Sequence, residues 1–202
     1  MNSADDLLQR AEEWIAIYAN AEHLRQTAHW LRVLAPDASP ALLLAALTHD
    51  IERAFPGPDR IDFDARLGPA DPAYNRHHAE RSARVVADWL RGAGASDDLI
   101  VEVARLIRAH EDGGWPEADL LQAADSLSFL DVNVDLLLSW LPGRKYQTGP
   151  DEARAKLRYT VERIRVPRAR ELALPMYQNG LARIDAYEAA ERNRTAGVEG
   201  PA

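Results

Sequence analysis

The segment PALLLAALTHDIERA, residues 40–54, carries the clearest structural signal in the chain. It is apolar on nearly every side of a helix until His49, and this predicts a buried helix at the centre of the fold. Ser39 is the predicted N-cap, and Pro40 occupies the first turn. Asp50 follows the buried run directly, where a lone carboxylate is costly unless it is paired or bound to a metal. The end of this helix is therefore a candidate functional site.

The rest of the chain also has the pattern of helices, because no long stretch alternates apolar and polar residues. We expect an all-α, single-domain helical bundle over residues 1–193, including a C-terminal helical extension. Residues 194–202 are predicted to form a disordered tail. The predicted helices cover about residues 3–20, 22–34, 40–54, 73–91, 96–111, 117–130, 131–140, 151–166 and 167–192.

Composition excludes several classes of protein. The 202 residues contain no Cys, so disulfide frameworks, thiolate metal sites and cysteine nucleophiles are ruled out. The net charge of −8 offers no basic surface for duplex nucleic acid or an anionic membrane. The N-terminus lacks the pattern of a signal peptide, and no apolar run is long enough to span a bilayer. We therefore expect a cytoplasmic protein; the oligomeric state is not predicted.

Helical periodicity separates inward-facing from outward-facing polar residues. Four of the six histidines lie on core-facing stripes of four different predicted helices, as do two aspartates. A single inward histidine is usually an ordinary core residue, and an isolated buried aspartate is usually a cap or an ion-pair partner. Six such groups on five helices instead favour a shared divalent cation, which imidazoles and carboxylates bind well. The six residues are His23, His49, Asp50, His78, His110 and Asp125.

The order of these residues resembles the HD-domain superfamily of metal-dependent phosphohydrolases. The set that carries the resemblance is His23, then His49-Asp50, then Asp125. The surrounding segments match as well, over about residues 20–135: EHLRQTAHWL, LLLAALTHDIERAF, HHAERSARVVADWLRGAG, IVEVARLIRAHED and AADSLSFLD. The additional His78 and His110 resemble the branch that holds two metals. The implied fold is a helical bundle of the HD-domain type with a long loop near the metal site.

The resemblance also implies roles for individual residues. His23, His49, Asp50 and Asp125 would hold the first metal, and His78 and His110 the second. Asp50 would bridge both metals as the catalytic residue. The implied cofactors are one or two divalent ions per chain, with Fe, Mn, Mg, Co and Ni all open. The implied substrate is a small phosphate ester, a nucleotide included.

Basic side chains around such a site would contact the substrate phosphate. Arg53 stands where many two-metal members of the superfamily have a Lys. The other predicted phosphate contacts are Arg76 and Lys145, with Arg60, Arg144 and Lys156 as further candidates. Glu52, Glu111 and Asp112 adjoin the predicted ligands and are candidates for orienting them or for protonating a leaving group. The loop from Phe55 to Pro72 lies between predicted ligands, so we expect it to overhang the site.

Two alternatives remain open at the level of sequence. Some HD-domain relatives use a di-iron site on the same six-ligand scaffold as an oxygenase, and the type of ligand does not separate the two chemistries. The other alternative is a metal-stabilised regulatory module without turnover. The complete set of ligands disfavours the module, because a protein that had lost catalysis would not need all six.

Overall fold

The computed structural model describes residues 3–61, 64, 67–141 and 149–198, with side chains up to residue 194 in the last range. Within these ranges the chain forms nine α-helices and no strand. They are α1 (Ala4–Trp14), α2 (Ala21–Leu34), α3 (Pro40–Thr48), α4 (Pro72–Gly92), α5 (Asp97–Arg108), α6 (Pro116–Val132), α7 (Val134–Ser139), α8 (Pro150–Glu162) and α9 (Pro167–Val198). Two short 3-10 helices lie at Ile15–Ile17 and Ile51–Ala54. The predicted all-α bundle is confirmed.

The helix starts follow local capping chemistry. The Ser39 side chain accepts a hydrogen bond from the Leu42 N–H at 3.2 Å, with Pro40 in the first turn of α3. Ser96 caps α5 in the same way through the Leu99 N–H. Each cap satisfies a backbone donor that the helix itself leaves without a partner. The predicted Ser39 cap is confirmed.

The core forms two clusters that share helix α6. The first cluster packs the apolar faces of α1 to α5 around α3, whose side chains are buried on almost every side. The second packs α7, α8 and α9 together. Leu121 and Ala124 of α6 belong to the first cluster, whereas Leu127 and Leu130 belong to the second. Helix α6 therefore carries Asp125 between the two halves of the core.

Some helix boundaries differ from the predictions. Helix α3 ends at Thr48 instead of Ala54, because the backbone leaves the α-helical conformation at Asp50, where φ is −106° and ψ is 2°. Helix α1 ends at Trp14 and α5 at Arg108, both earlier than predicted.

Helix α9 is longer than predicted and runs to Val198, into the stretch predicted to be a disordered tail. The added stretch contains Arg194 and Ala196, both of which favour helix. Residues 199–202 lie outside the described part of the chain. No helix among the described residues combines the length and apolar character needed to cross a membrane.

Candidate metal centre

The four buried imidazoles share one arrangement. Each places Nδ1 within hydrogen-bond distance of a protein oxygen, so Nδ1 carries the proton and Nε2 is left facing the interior. The four contacts are His23 to Ser128 Oγ at 2.8 Å, His49 to Ala46 O at 3.1 Å, His78 to Glu52 Oε1 at 2.8 Å and His110 to Ile107 O at 2.7 Å. Metal-binding histidines in proteins are typically oriented in this way.

The contact of His23 defines its tautomer. The Ser128 hydroxyl donates to the backbone oxygen of His23 at 2.7 Å, so its proton is already committed. The same hydroxyl oxygen therefore accepts from the Nδ1–H of His23. This leaves His23 Nε2 directed toward Asp125 at the centre of the bundle.

The Nε2 atoms converge on two carboxylates. Asp125 Oδ1 lies 3.1 Å from His23 Nε2 and 3.4 Å from His49 Nε2. Asp50 Oδ1 lies 2.7 Å from His78 Nε2, 3.9 Å from His110 Nε2 and 4.0 Å from His49 Nε2. The structure thus brings all six predicted ligands together.

The donor atoms fall into three overlapping groups that could each hold a metal ion. Within each group the ligand atoms lie within 4.8 Å of one another. The groups are His23 with His49 and Asp125; His49 with Asp50 and His110; and His78 with His110 and Glu111. His49 Nε2 is buried and forms no hydrogen bond with any described residue, an arrangement that an ion would satisfy. The donor set therefore fits one or two divalent ions.

Asp50 and Asp125 are oriented in the same way. In each carboxylate, Oδ1 faces the imidazoles and Oδ2 faces an arginine. Arg53 Nε lies 3.1 Å from Asp50 Oδ2, and Arg163 bonds Asp125 Oδ2. Burial raises the pKa of each carboxyl, but Arg53 beside Asp50 and Arg163 beside Asp125 hold both pKa values well below the usual range. Both groups are therefore ionised, as metal ligands must be.

Arg163 also links two helices at the site. Besides Asp125 of α6 it bonds Glu111, which follows α5, and its Nε donates to Ser126 Oγ at 2.9 Å. Sequence reasoning missed this residue. The signal available was a polar stripe, Lys156, Tyr159 and Arg163, spaced by three and four residues on α8 and its C-cap.

The three acidic residues that adjoin the predicted ligands make different contacts. Glu52 holds the Nδ1–H of His78 and also pairs with Arg81, so the predicted orienting contact is present. Glu111 faces His110, with Oε1 3.7 Å from Nε2. Asp112 contributes its backbone oxygen to Arg165, away from the imidazoles.

A cavity of about 1010 Å³ opens onto this centre. This is at the upper end of the roughly 300–1,000 Å³ range typical of ligand pockets. His23, Asp50 and Asp125 lie in its wall, and the loop before α4 contributes another part of the wall through Arg60, Ile61, Gly68 and Pro69. The loop therefore borders the site as expected.

The comparisons with known proteins identify a family. Residues 2–184 match the family described as a domain of unknown function, DUF4202. The chain belongs to the DUF4202 family. No curated protein and no solved structure matches this DUF4202 chain.

The residues predicted to contact phosphate lie in different places in this DUF4202 chain, and they do not all line the cavity. Arg53 lies in the cavity wall, where its NH1 donates to the Tyr74 hydroxyl at 2.9 Å. Arg76 does not line the cavity; it is exposed beside His77 and Glu80. It precedes His78 by two residues, which is about 200° around a helix, so it faces away from the site. Lys145 and Arg144 lie outside the described residues.

We expect Ser128→Ala to weaken metal binding by about 10- to 100-fold, because His23 would lose the group that orients its ring. Binding of Mn²⁺ measured by calorimetry checks this. The matched control is Ser139→Ala, whose exposed hydroxyl bonds the nearby Leu136 backbone. Equal affinities in the two variants would show that the Ser128 hydroxyl does not support the ligand.

We expect metal binding to release protons. Burial lowers the pKa of His49, but the carboxylates of Asp125 and Asp50 raise it more, so it lies above the ordinary value of 6.5. Burial and Arg53 lower the pKa of His78, whereas Asp50 raises it above 6.5 overall. Burial lowers the pKa of His110 to about 4, so that ring is already neutral.

The raised pKa values of His49 and His78 determine how the stability of the fold changes with pH. In the metal-free protein, protonated His49 and His78 stabilise the fold fully at pH values below 6.5, the pKa of histidine in the unfolded chain. This contribution is lost as the pH rises through the higher pKa of each histidine in the folded protein. A metal must displace these protons, so its affinity increases with pH over the same interval. Calorimetry at pH 6.5 in two buffers of different ionisation enthalpy measures the release. A binding enthalpy independent of buffer would contradict the expectation.

Proposed function

We propose that this chain is a metal-dependent phosphohydrolase of the HD-domain type. Its substrate is a small organic phosphate ester, a nucleotide included. The observation that carries the proposal is the convergence of four imidazole Nε2 atoms and two ionised carboxylates at the wall of a cavity that also holds cationic side chains.

The side chains would serve two adjoining metal sites, with Asp50 near imidazoles of both. His23, His49 and Asp125 would hold the first ion. His78 and His110 belong to the second, with Glu111 close enough to add an oxygen ligand. Two bound divalent ions would supply an activated water and neutralise charge on the phosphoryl group.

The protein supplies the remaining functions. In the net reaction a water oxygen bonds to phosphorus, the ester P–O bond breaks, and the water's proton ends on the departing alcohol. Arg53 and Lys156 line the cavity and are positioned to bind phosphate oxygens. Glu52 and Ser128 hold the rings of His78 and His23 in place. Arg163 keeps Asp125 ionised and aligned through its paired contact.

The test begins with metal analysis of the purified protein. The protein reconstituted with Mn²⁺ or Fe²⁺ is then assayed for phosphate release from a broad panel of nucleotides, sugar phosphates and aryl phosphates. We expect stoichiometric metal and metal-dependent hydrolysis of at least one ester. The matched control for site-directed changes is His29→Ala, because His29 is an exposed histidine of α2.

Other outcomes would replace the proposal. Bound iron with oxygen uptake, and no phosphate release, would favour the oxygenase, since His and carboxylate ligands also suit a di-iron site. Bound metal with neither activity would favour a metal-stabilised regulatory module. Absence of metal binding would contradict all three functions.

A further inference from the structure

The cavity beside the metal centre has a polar part and an apolar part. The polar part includes the metal-site carboxylates, with Arg53 and Lys156. The apolar part is formed by the end of α6 and by the helix and C-cap of α7. Its side chains are Phe129, Val132, Leu136, Leu137 and Trp140, and we call this set the α6–α7 wall. A ligand that fills the cavity therefore meets charge at one side and hydrocarbon at the other.

Lys156 is an available cation in the cavity wall, which also contains Arg60. Its Nζ lies 5.0 Å from the centre of the Phe129 ring and 5.6 Å from that of Tyr159. Arg53 and Arg163 are each paired with a carboxylate, whereas Lys156 forms no ion pair within the described parts of the chain. A lysine ammonium held among aromatic faces retains its donors for an incoming anion.

Exposed apolar residues also border the cavity. Ile17, Ile61 and Leu136 come from three separate parts of the chain, and all three line the cavity. Their side chains are 59%, 42% and 40% exposed, among the most exposed large hydrophobic residues described. Exposed apolar side chains that line one cavity indicate a binding site, whereas isolated ones need no explanation.

We propose that the substrate is a phosphate monoester with an apolar, aromatic organic group. This inference rests on the proposed phosphohydrolase function and specifies its substrate class. The phosphate lies against Lys156 and Arg53 beside the metal centre, and the organic group lies along the α6–α7 wall. Small polyhydroxylated phosphates would leave that wall without an apolar partner and are disfavoured.

The test uses two non-hydrolysable probes of matched charge, 1-naphthylmethylphosphonate and methylphosphonate, titrated into the metal-loaded full chain by calorimetry. We expect the aromatic probe to bind at least about 10-fold more tightly, because it buries additional apolar surface. Leu136→Ser should reduce this preference and leave methylphosphonate binding unchanged. Leu174→Ser is the matched control, because Leu174 is 46% exposed on α9 and does not line the cavity.

A second set of variants tests the proposed contact between Lys156 and the phosphate. Lys156→Met should weaken both probes to a similar extent, about 10-fold, and Lys156→Arg should restore most of the affinity. The metal content of each variant is measured in parallel, so that a loss of the ions is separated from a loss of phosphonate contacts. Unchanged affinity in Lys156→Met with metal bound would overturn the assignment of Lys156.

The two proposals fail in different ways. Equal affinity of the wild type for both probes, or no binding of either, would overturn the substrate class. If sugar phosphates are hydrolysed faster than aryl phosphates, the phosphohydrolase stands and the aromatic preference falls. If the aromatic probe binds preferentially and no ester is hydrolysed, the cavity assignment stands and the phosphohydrolase falls.

Discussion

The variant His49→Ala is expected to lose its bound metal and all metal-dependent hydrolysis. His49 belongs to two of the three donor groups, since its Nε2 lies near both Asp125 and Asp50. Loss of an orienting partner alone typically reduces metal affinity by about 10- to 100-fold, so loss of a shared ligand should exceed about 100-fold. Equilibrium dialysis followed by elemental analysis measures the effect.

The controls for this prediction separate metal loss from misfolding. His29→Ala removes an exposed imidazole and should retain wild-type metal content. His49→Gln keeps much of the side-chain volume in the buried site, and circular dichroism of both His49 variants reports whether the helices remain. A folded His49→Ala that still binds metal at wild-type affinity would refute the proposed centre.

The second large effect is expected from Arg163→Met, which should lower the free energy of unfolding of the metal-free protein by about 3–5 kcal/mol. Arg163 is the cationic partner of both Asp125 and Glu111, and all three side chains are nearly buried, with exposed fractions of 10%, 8% and 13%. Removing it leaves two buried carboxylates without their arginine partner. Urea denaturation measures the change.

The chain offers a matched control two residues away. Arg165 is 54% exposed and pairs with Asp119, so Arg165→Met should cost only about 0–1 kcal/mol. The metal-loaded Arg163→Met variant should be less destabilised than the metal-free one, because bound ions neutralise the same carboxylates. Equal losses for the two arginine variants would show that the buried pairing does not stabilise the fold.

Much of the bundle could be predicted from sequence because helix formation depends on local patterns. The caps at Ser39 and Ser96 follow from side-chain chemistry within three residues of each helix start. The six grouped residues could be found because each lies on, or directly after, an apolar stripe of a helix. Periodicity defines the face on which a side chain lies, and so it placed His78 inward.

Helical periodicity did not guide the prediction that Arg76 contacts phosphate. That prediction rested on charge alone, and the side chain faces outward. Nor did periodicity identify Arg163, because an arginine near the end of an amphipathic helix is usually a solvated surface charge. Its role depends on Asp125 and Glu111, which are 38 and 52 residues away in the chain.

By itself, the sequence determined that the chain is helical and which histidines and aspartates lie inward, because these properties depend on neighbouring residues. Only the tertiary structure decided how those groups are oriented. Ser128 holds His23 across 105 residues, and the backbone leaves the helix at Asp50 so that adjacent side chains reach one centre. Such contacts depend on how helices pack against one another, and the periodicity of one helix does not specify which other helix lies beside it.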